Sequence, residues 1–386
     1  MAGRKASQTR TDTEPTRQRD GAVSRRRALQ LMGGCLAAAT LGVGTAAAQT
    51  STDSPGDSGS GQPDDRVPIG GGPAYDDAVT EADADAVATS LDDLVDALEG
   101  AAAGDVVFLA GDATVDLGEE TISVPARVTL ASNRGVDGSA GALLATESEP
   151  ADLVRLAEGA TLSGVRLRGA NTGDDGGSSD RASGATVVGT AAEVENCEIR
   201  GFPFAGVYVQ DGWGHVHHNV ITECNKAGLG YGVAMYAGYN GLEYNYFNYN
   251  RHSVASDGSH RGYVCRYNHF GPTEVMHNID AHEPGCELLK VHNNVVETVE
   301  REWDGRVNEI VKIDGVPDEG ATVRDNWFFN SNAPDPNGEP DVTSQAIVQG
   351  DVSDWENFEF SGNAYGADAD VSYADVIPGY SGWRTA

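Results

Sequence analysis

The chain has 386 residues, a formal net charge of −33 and 59 acidic against 26 basic residues. An acidic balance of this size argues against a nucleic acid as partner, because phosphate binding needs a basic stripe and the sequence has none. An acidic substrate would likewise be repelled by the average surface, so a site for it must be a local group of cations.

The N-terminal residues are typical of an export signal. Ser24–Leu29 (SRRRAL) matches a twin-arginine motif, and an Ala/Gly-rich apolar run follows it up to residue 48. We therefore expect residues 1–48 to direct export by the twin-arginine route, giving a secreted or cell-surface protein with no stable membrane span once the signal is removed. The alternative is a membrane anchor, since residues 28–48 are just long enough to span a bilayer.

Residues 49–75 are Ser, Asp, Gly and Pro with almost nothing apolar, which predicts a disordered linker. The folded domain is expected over residues 76–386. It begins with an amphipathic helix that has Ser90 as its N-cap. Its apolar face is predicted to consist of Leu91, Leu94, Val95 and Leu98. Gly104 and Asp105 then turn the chain into a first strand at Val106–Leu109.

A short pattern recurs along most of the domain: an apolar residue, two variable residues, Asn, one variable residue and another apolar residue. The Asn place is filled by Asn219, Asn245, Asn268, Asn294, Asn326 and Asn363, with Cys197 in an earlier copy. Successive places lie 22 to 37 residues apart, and the apolar runs are short and rich in Val, Ile, Phe and Tyr. This spacing predicts an all-β solenoid, a right-handed parallel β-helix with an N-terminal capping helix. The Asn side chains are expected to form a ladder, with each Asn in a left-handed bend.

The helix and first strand resemble the pectate-lyase-like right-handed β-helix superfamily, which includes alginate lyases. The likeness is carried by residues 101–111 (AAAGDVVFLAG), and with the Asn-motif coils it extends over residues 80–370. The acidic, lysine-poor composition is similar to that of proteins from extreme halophiles. The resemblance implies β-elimination on an extracellular uronate polysaccharide. In such enzymes Ca²⁺ or a cationic side chain neutralises the sugar carboxylate, and Lys, Arg, Tyr or His takes the proton.

A second strand precedes the Asn motif in each coil. We expect its inward-facing residues to include Val233, Met235, Ile279, Ala281, Val311 and Ile313. Alternation then turns Tyr236, Asp280, His282, Lys312 and Asp314 outward. Asp280 should lie beside Lys312, and His282 beside Asp314, with Arg251 and His252 approaching from the coil before. This concentration of Arg, His and Lys on an otherwise acidic protein is the candidate site.

Three functions remain open for these residues. For elimination, the catalytic candidates are Lys312, His282, Arg251 and His252, the substrate-binding candidates are Tyr236, Arg261, Arg266 and Asp314, and the candidate Ca²⁺ ligands are Asp280 and Glu283. For inverting hydrolysis, Asp280 and Asp314 would be diagonal neighbours about 7–8 Å apart, within the range of about 6.5–9.5 Å for such enzymes. The third function is glycan binding without catalysis, or metal binding by His252, His277, Asp280 and His282. Elimination by a monomer is the preferred interpretation.

Four cysteines lie beyond the export signal: Cys197, Cys224, Cys265 and Cys286. An exported protein can form disulfides, but buried free thiols are an equal alternative. The sequence has no C-x-x-C pair, so a structural zinc site built from cysteines is not expected.

Overall fold

The strands stack into three long parallel sheets. A computed structural model describes residues 68–73, 75–148, 152–170, 182–299, 302–303, 306–307, 310–330, 347–348 and 358–380. Within these residues, successive turns of the chain visit the three sheets in rotation, so neighbouring strands in one sheet belong to successive coils. The predicted all-β, parallel β-helix architecture is confirmed.

The three sheets are named here by their strands in the described part of the chain. Sheet A has eleven strands: Ala86–Ala88, Val106–Leu109, Thr129–Ala131, Thr161–Ser163, Thr190–Glu195, Trp213–His217, Tyr239–Glu243, Gly262–Arg266, Leu288–His292, Gly320–Arg324 and Glu359–Ser361. Sheet B has nine: Ile122–Val124, Asp152–Leu156, Ser183–Val187, Ala205–Val209, Tyr231–Met235, His252–Ser256, Ile279–Ala281, Val311–Ile313 and Ile347–Val348. Sheet C has ten: Thr114–Asp116, Leu143–Ala145, Arg166–Arg168, Glu198–Arg200, Val220–Thr222, Tyr246–Asn248, His269–Phe270, Val295–Val296, Trp327–Phe328 and Ala364–Tyr365. Glu302–Trp303 and Arg306–Val307 form a separate antiparallel pair.

Strand alternation fills the interior of the solenoid with apolar side chains. All six residues predicted to point inward lie in the main apolar cluster: Val233, Met235, Ile279, Ala281, Val311 and Ile313. Each is at most 1% exposed. Because side chains of a strand point alternately to its two faces, this packing fixes which residues of sheet B face away from the core.

The Asn side chains form the predicted ladder. Asn268 Oδ1 accepts hydrogen bonds from the backbone N–H and from Nδ2 of Asn245, both at 3.0 Å. The same pattern joins Asn219, Asn245, Asn268, Asn294, Asn326 and Asn363. The prediction that these Asn residues adopt the left-handed conformation is wrong, because the residue before each has the positive φ, as at Tyr244 and Tyr267. The bend one residue earlier leaves each Asn side chain free to bond the backbone of the preceding coil.

The first helix spans Leu91–Gly100, and a second, short helix spans Tyr373–Val376. Short 3-10 turns span Glu81–Asp83 and Val136–Gly138. As predicted, Ser90 caps the first helix by accepting a hydrogen bond from the Asp93 backbone N–H at 3.2 Å. Among the described residues, no helix combines the length and apolarity required to cross a membrane.

The first helix contacts the opening strands of sheets A and B, as expected of a cap at the end of the first coil. Leu94 and Leu98 are buried against these strands and Leu91 is partly buried, whereas Val95 is 37% exposed. The predicted apolar face was therefore one residue too wide. The buried stripe is centred on Leu94 and Leu98, which places Val95 at its edge.

The last residues of the predicted linker contact the solenoid. Ile69 is 2% exposed, and the Gly70 N–H donates to the Tyr244 carbonyl at 2.9 Å. Arg134 Nη1 donates to the Gly70 carbonyl at 2.8 Å, and the Tyr75 hydroxyl donates to Glu195 at 2.5 Å. The predicted export signal and linker residues 49–67 lie outside the described residues.

The four cysteines beyond the export signal are buried free thiols, which confirms the alternative to disulfide bonds.

Candidate functional site on the outer face of sheet B

One row of side chains crosses the outer face of sheet B in register. Tyr208, Ala234, Ala255, Asp280 and Lys312 are successive strand partners along this row. The predicted juxtaposition of Asp280 and Lys312 is therefore confirmed. The two alanines have short side chains, which leaves space above the middle of the sheet for larger side chains from the strand ends.

Asp280 lies at the centre of a buried polar cluster in this row. Its Oδ2 atom lies 2.7 Å from His252 Nδ1 and 2.9 Å from His282 Nε2. The Asp280 side chain points away from the core, as alternation predicts, but it is 0% exposed. The imidazole side chains of the two histidines contact it there, so a position that faces outward in the sheet is still inaccessible to solvent.

The electrostatic environment gives the three side chains different protonation states. Burial acts to raise the pKa of Asp280, but the contacts with His252 and His282 outweigh it and hold that pKa below its usual range. Burial lowers the pKa of His252 to about 4, although Asp280 acts in the opposite direction. Contact with Asp280 raises the pKa of His282 against its partial burial. At neutral pH, an ionised Asp280 thus lies between a neutral His252 and His282, whose imidazole is made more basic by the contact.

His282 is the accessible member of this cluster. Its side chain is 40% exposed, whereas that of His252 is 3% exposed. Because Asp280 contacts Nε2 of His282, the second ring nitrogen, Nδ1, is the one that a substrate can reach. A carboxylate that orients an exposed imidazole in this way is an arrangement suited to general acid or base chemistry.

Two further cations adjoin the cluster. Lys312 Nζ lies 2.9 Å from Asp314 Oδ2, and both charges act on His282, which agrees with the predicted proximity of His282 and Asp314. On the other side, the Arg251 guanidinium lies 6.0 Å from the centre of the Tyr231 ring. Arg251 therefore lies close enough to act on His252, and Lys312 close enough to act on His282.

Aromatic side chains surround the other end of the row, at Tyr208, and extend to His252. Tyr208 and Tyr236 make an edge-to-face contact with ring centres 5.2 Å apart, and Phe204 packs edge-on against Tyr208 at 5.0 Å. Tyr231 lies between this group and the polar cluster, with its ring centre 5.4 Å from that of His252. Tyr236, a predicted substrate-binding residue, is thus part of a partly buried aromatic patch beside the polar cluster.

Three other predicted residues are placed differently. Arg266 pairs with Glu243 at 2.8 Å within sheet A, and Arg261 pairs with Glu319 at 3.2 Å. Glu283 is exposed, unlike Asp280. Arg266 lies on a strand of sheet A, so its side chain joins that sheet's own charged cluster and not the row on sheet B.

His277 was absent from the preferred set of catalytic and binding residues, although it belongs to the cluster. Its side chain is buried, and its ring centre lies 4.8 Å from that of His252. Of His277, Asp280 and His282, strand alternation predicted that only Asp280 and His282 face outward together. His277 precedes the strand Ile279–Ala281, so strand alternation does not determine its direction. The spacing His277-x-x-Asp280 was the signal that could have identified it.

The donor atoms at this site do not fit the expected Ca²⁺. Calcium takes six to eight oxygen ligands, but the groups closest to Asp280 are imidazole nitrogens. Glu283, the second expected ligand, is exposed while Asp280 is buried. These residues therefore do not support a catalytic role for calcium.

Comparison with known proteins does not supply a family for the chain. A scan against protein-family models gives no match, and a search of curated proteins finds none.

Proposed function

We propose that this protein acts on an extracellular uronate polysaccharide by β-elimination, as an exported, salt-adapted enzyme of the pectate-lyase-like type. The observation that carries the proposal is the row on sheet B, which joins an aromatic patch to Arg251, His282 and Lys312. In a chain of net charge −33, Arg251 and Lys312 provide local cations that would attract an anionic sugar, whereas the average surface would repel it.

The two ends of the row suit the two parts of a uronate residue. Aromatic faces at Tyr208 and Tyr236 offer apolar contact to sugar rings. The cations at the other end would neutralise the sugar carboxylate, which makes the proton on C5 more acidic. Successive coils of a parallel sheet are about 4.8 Å apart, so the row offers a series of subsites to an extended polymer.

His282 is the best base in this arrangement. Lys312 forms an ion pair with Asp314 and so remains charged, which suits neutralisation of the carboxylate. His282 would take the C5 proton on Nδ1, the electrons of that C–H bond would form the C4=C5 double bond, and the C4–O bond would break. The departing oxygen takes a proton from water. Asp280 is a positioning residue here, because it holds Nε2 and stabilises the imidazolium.

The burial of Asp280 favours elimination over hydrolysis. An inverting hydrolase needs two carboxyl groups that reach the glycosidic oxygen and a water molecule. Asp280 is 0% exposed and contacts two imidazoles, so it offers no oxygen to a substrate. The pair Asp280 and Asp314, which the sequence suggested for hydrolysis, therefore lacks one accessible member.

The test is an assay of the purified protein on a panel of polyuronates in concentrated salt. Elimination creates a C=C bond conjugated with the carboxylate, which absorbs in the ultraviolet. His282→Ala should lower turnover by about 10²–10⁴-fold. His215→Ala is the matched control, because its side chain is 38% exposed, close to the 40% of His282, but it lies on sheet A. Lys312→Ala should also lower turnover, whereas Lys290→Ala, at an exposed position of sheet A, should not.

The outcomes separate the candidate functions. Ultraviolet absorbance that depends on His282 and not on His215 supports elimination at this site. New reducing ends without absorbance would indicate hydrolysis and overturn the proposal. Saturable polysaccharide binding with neither product would indicate a glycan-binding protein.

A further inference from the structure

Three donor groups converge at the buried end of the candidate site. One donor atom from each of His252, His277 and Asp280 lies within 4.8 Å of the other two. All three side chains are buried, and they come from a strand, its neighbour in the sheet and the segment that leads into that neighbour. Two imidazoles and one carboxylate form a ligand set that proteins use for zinc and for other first-row transition metals.

The directions of the donor atoms distinguish this cluster from an ordinary ion pair. His252 Nδ1 lies 2.7 Å from Asp280 Oδ2, yet the two atoms do not have hydrogen-bond geometry. Among the described residues, both ring nitrogens of His252 and both oxygens of Asp280 lack a hydrogen-bond partner. Buried polar groups are nearly always satisfied, because leaving one unpaired costs about 1–3 kcal/mol and more for a charged group. A cation shared by these atoms would satisfy them together.

The donor types select the class of cation. Imidazole nitrogen suits Zn²⁺, Cu²⁺, Fe²⁺ and Ni²⁺, whereas Ca²⁺ and Mg²⁺ prefer oxygen. We infer that His252, His277 and Asp280 bind a divalent first-row transition metal. Three protein ligands leave a further coordination position, and the partly exposed His282 lies beside it, 2.9 Å from Asp280.

Metal binding at this position is independent of the proposed reaction. The ligand set requires only that the three donors meet, and it holds whether or not the site performs elimination. A measurement of metal affinity that uses no polysaccharide can therefore fail or succeed separately from the lyase assay.

The experiment is a titration of the chelator-treated, folded full chain with Co²⁺, whose visible absorption reports its ligands. We expect one equivalent to bind per chain, to be displaced by Zn²⁺ and to be unaffected by excess Ca²⁺. His277→Ala should weaken Co²⁺ binding by more than about 100-fold, since even outer-shell changes cost about 10–100-fold. His215→Ala should leave the affinity unchanged. Asp280→Asn is a second variant that keeps the shape of the side chain but removes the charge.

Circular dichroism establishes that each variant is folded before its affinity is read. Loss of Co²⁺ binding in folded His277→Ala or Asp280→Asn protein, with binding retained in His215→Ala, supports the site. Failure of the folded wild-type chain to bind Co²⁺ overturns the inference. So does a Co²⁺ affinity that is unchanged in both site variants or lost in the His215 control.

Discussion

Two clusters of histidine and carboxylate lie on two sheets of the same solenoid. On sheet A, His217 Nε2 makes a hydrogen bond to Glu193 Oε1 at 2.8 Å, and His215 Nδ1 lies 3.7 Å from the same atom. On sheet B, His252 Nδ1 lies 2.7 Å from Asp280 Oδ2 without hydrogen-bond geometry. The Glu193 side chain is 39% exposed, whereas that of Asp280 is 0% exposed.

The comparison shows that burial, and not composition, decides what such a cluster can do. On sheet A, burial acts to lower the pKa of His215, but Glu193 and Glu243 raise it to about 9. A proton on the His215 ring therefore gives these two carboxylates a cationic partner. On sheet B, the pKa of the buried His252 falls to about 4, so its ring stays neutral at pH 7 and keeps a lone pair. The same residue types therefore form a protonated ion-pair network in one place and a set of unprotonated donors in the other.

The largest expected difference is in the free energy of unfolding when each carboxylate is removed. In metal-free buffer, Asp280→Ala should cost about 3–5 kcal/mol, because it breaks the buried contacts of Asp280 with His252 and His282 by removing one partner. Glu193→Ala should cost less than about 1 kcal/mol, because the Glu193 side chain is 39% exposed and solvent screens its charge. Urea unfolding curves of the two variants measure this. Equal losses would mean that burial of the carboxylate does not distinguish the two clusters.

The Asn ladder provides a reference for a buried polar group that is hydrogen bonded. Asn268 is 0% exposed and donates to the Leu242 carbonyl at 2.9 Å. Asn268→Ala should lower the free energy of unfolding by about 1–3 kcal/mol, because buried groups on both neighbouring coils lose their partner. Asn363, the final rung, is only partly buried, so Asn363→Ala should cost less. Thermal unfolding of both variants tests this order, and the reverse order would contradict the ladder's stabilising role.

The pH dependence of stability should identify the protonated cluster. His215 has its pKa raised from 6.5 to about 9 in the folded chain. Its contribution is therefore fully present below pH 6.5 and is lost as the pH rises through about 9. Because its side chain is 38% exposed, the loss should be at most about 1 kcal/mol. The fall in melting midpoint over this range should be smaller in His215→Gln, and an identical fall in both proteins would assign it to other groups.

Salt should produce the smallest change in this comparison. In about 2 M KCl the screening length is under about 3 Å, so the exposed pairs of His215 lose most of their attraction. The stability difference between wild type and His215→Gln at pH 7 should shrink by a few tenths of a kcal/mol. Both proteins should melt at higher temperature than in dilute buffer, because salt also screens the repulsion within a chain of net charge −33. A midpoint that does not change with salt would contradict the salt-adapted interpretation.

The sequence by itself determined the architecture and the row that carries the candidate site. Alternation around Ile279 and Ala281 is a local property of an extended strand, so it correctly turned Asp280 outward beside Lys312. The recurring Asn places likewise set the register of the coils, because each Asn side chain bonds the backbone of the preceding coil. The handedness expected from the crossover rule stays a prediction.

The tertiary structure alone decided which polar residues are buried and which meet. His277 lies outside the strand pattern, and its approach to His252 depends on the path of the segment before Ile279. Arg266 was a predicted substrate-binding residue, yet its position in sheet A pairs it with Glu243. Periodicity describes the direction of a side chain relative to its own strand. Burial and pairing depend on what neighbouring coils and loops place above it, and those contacts join residues far apart in the chain.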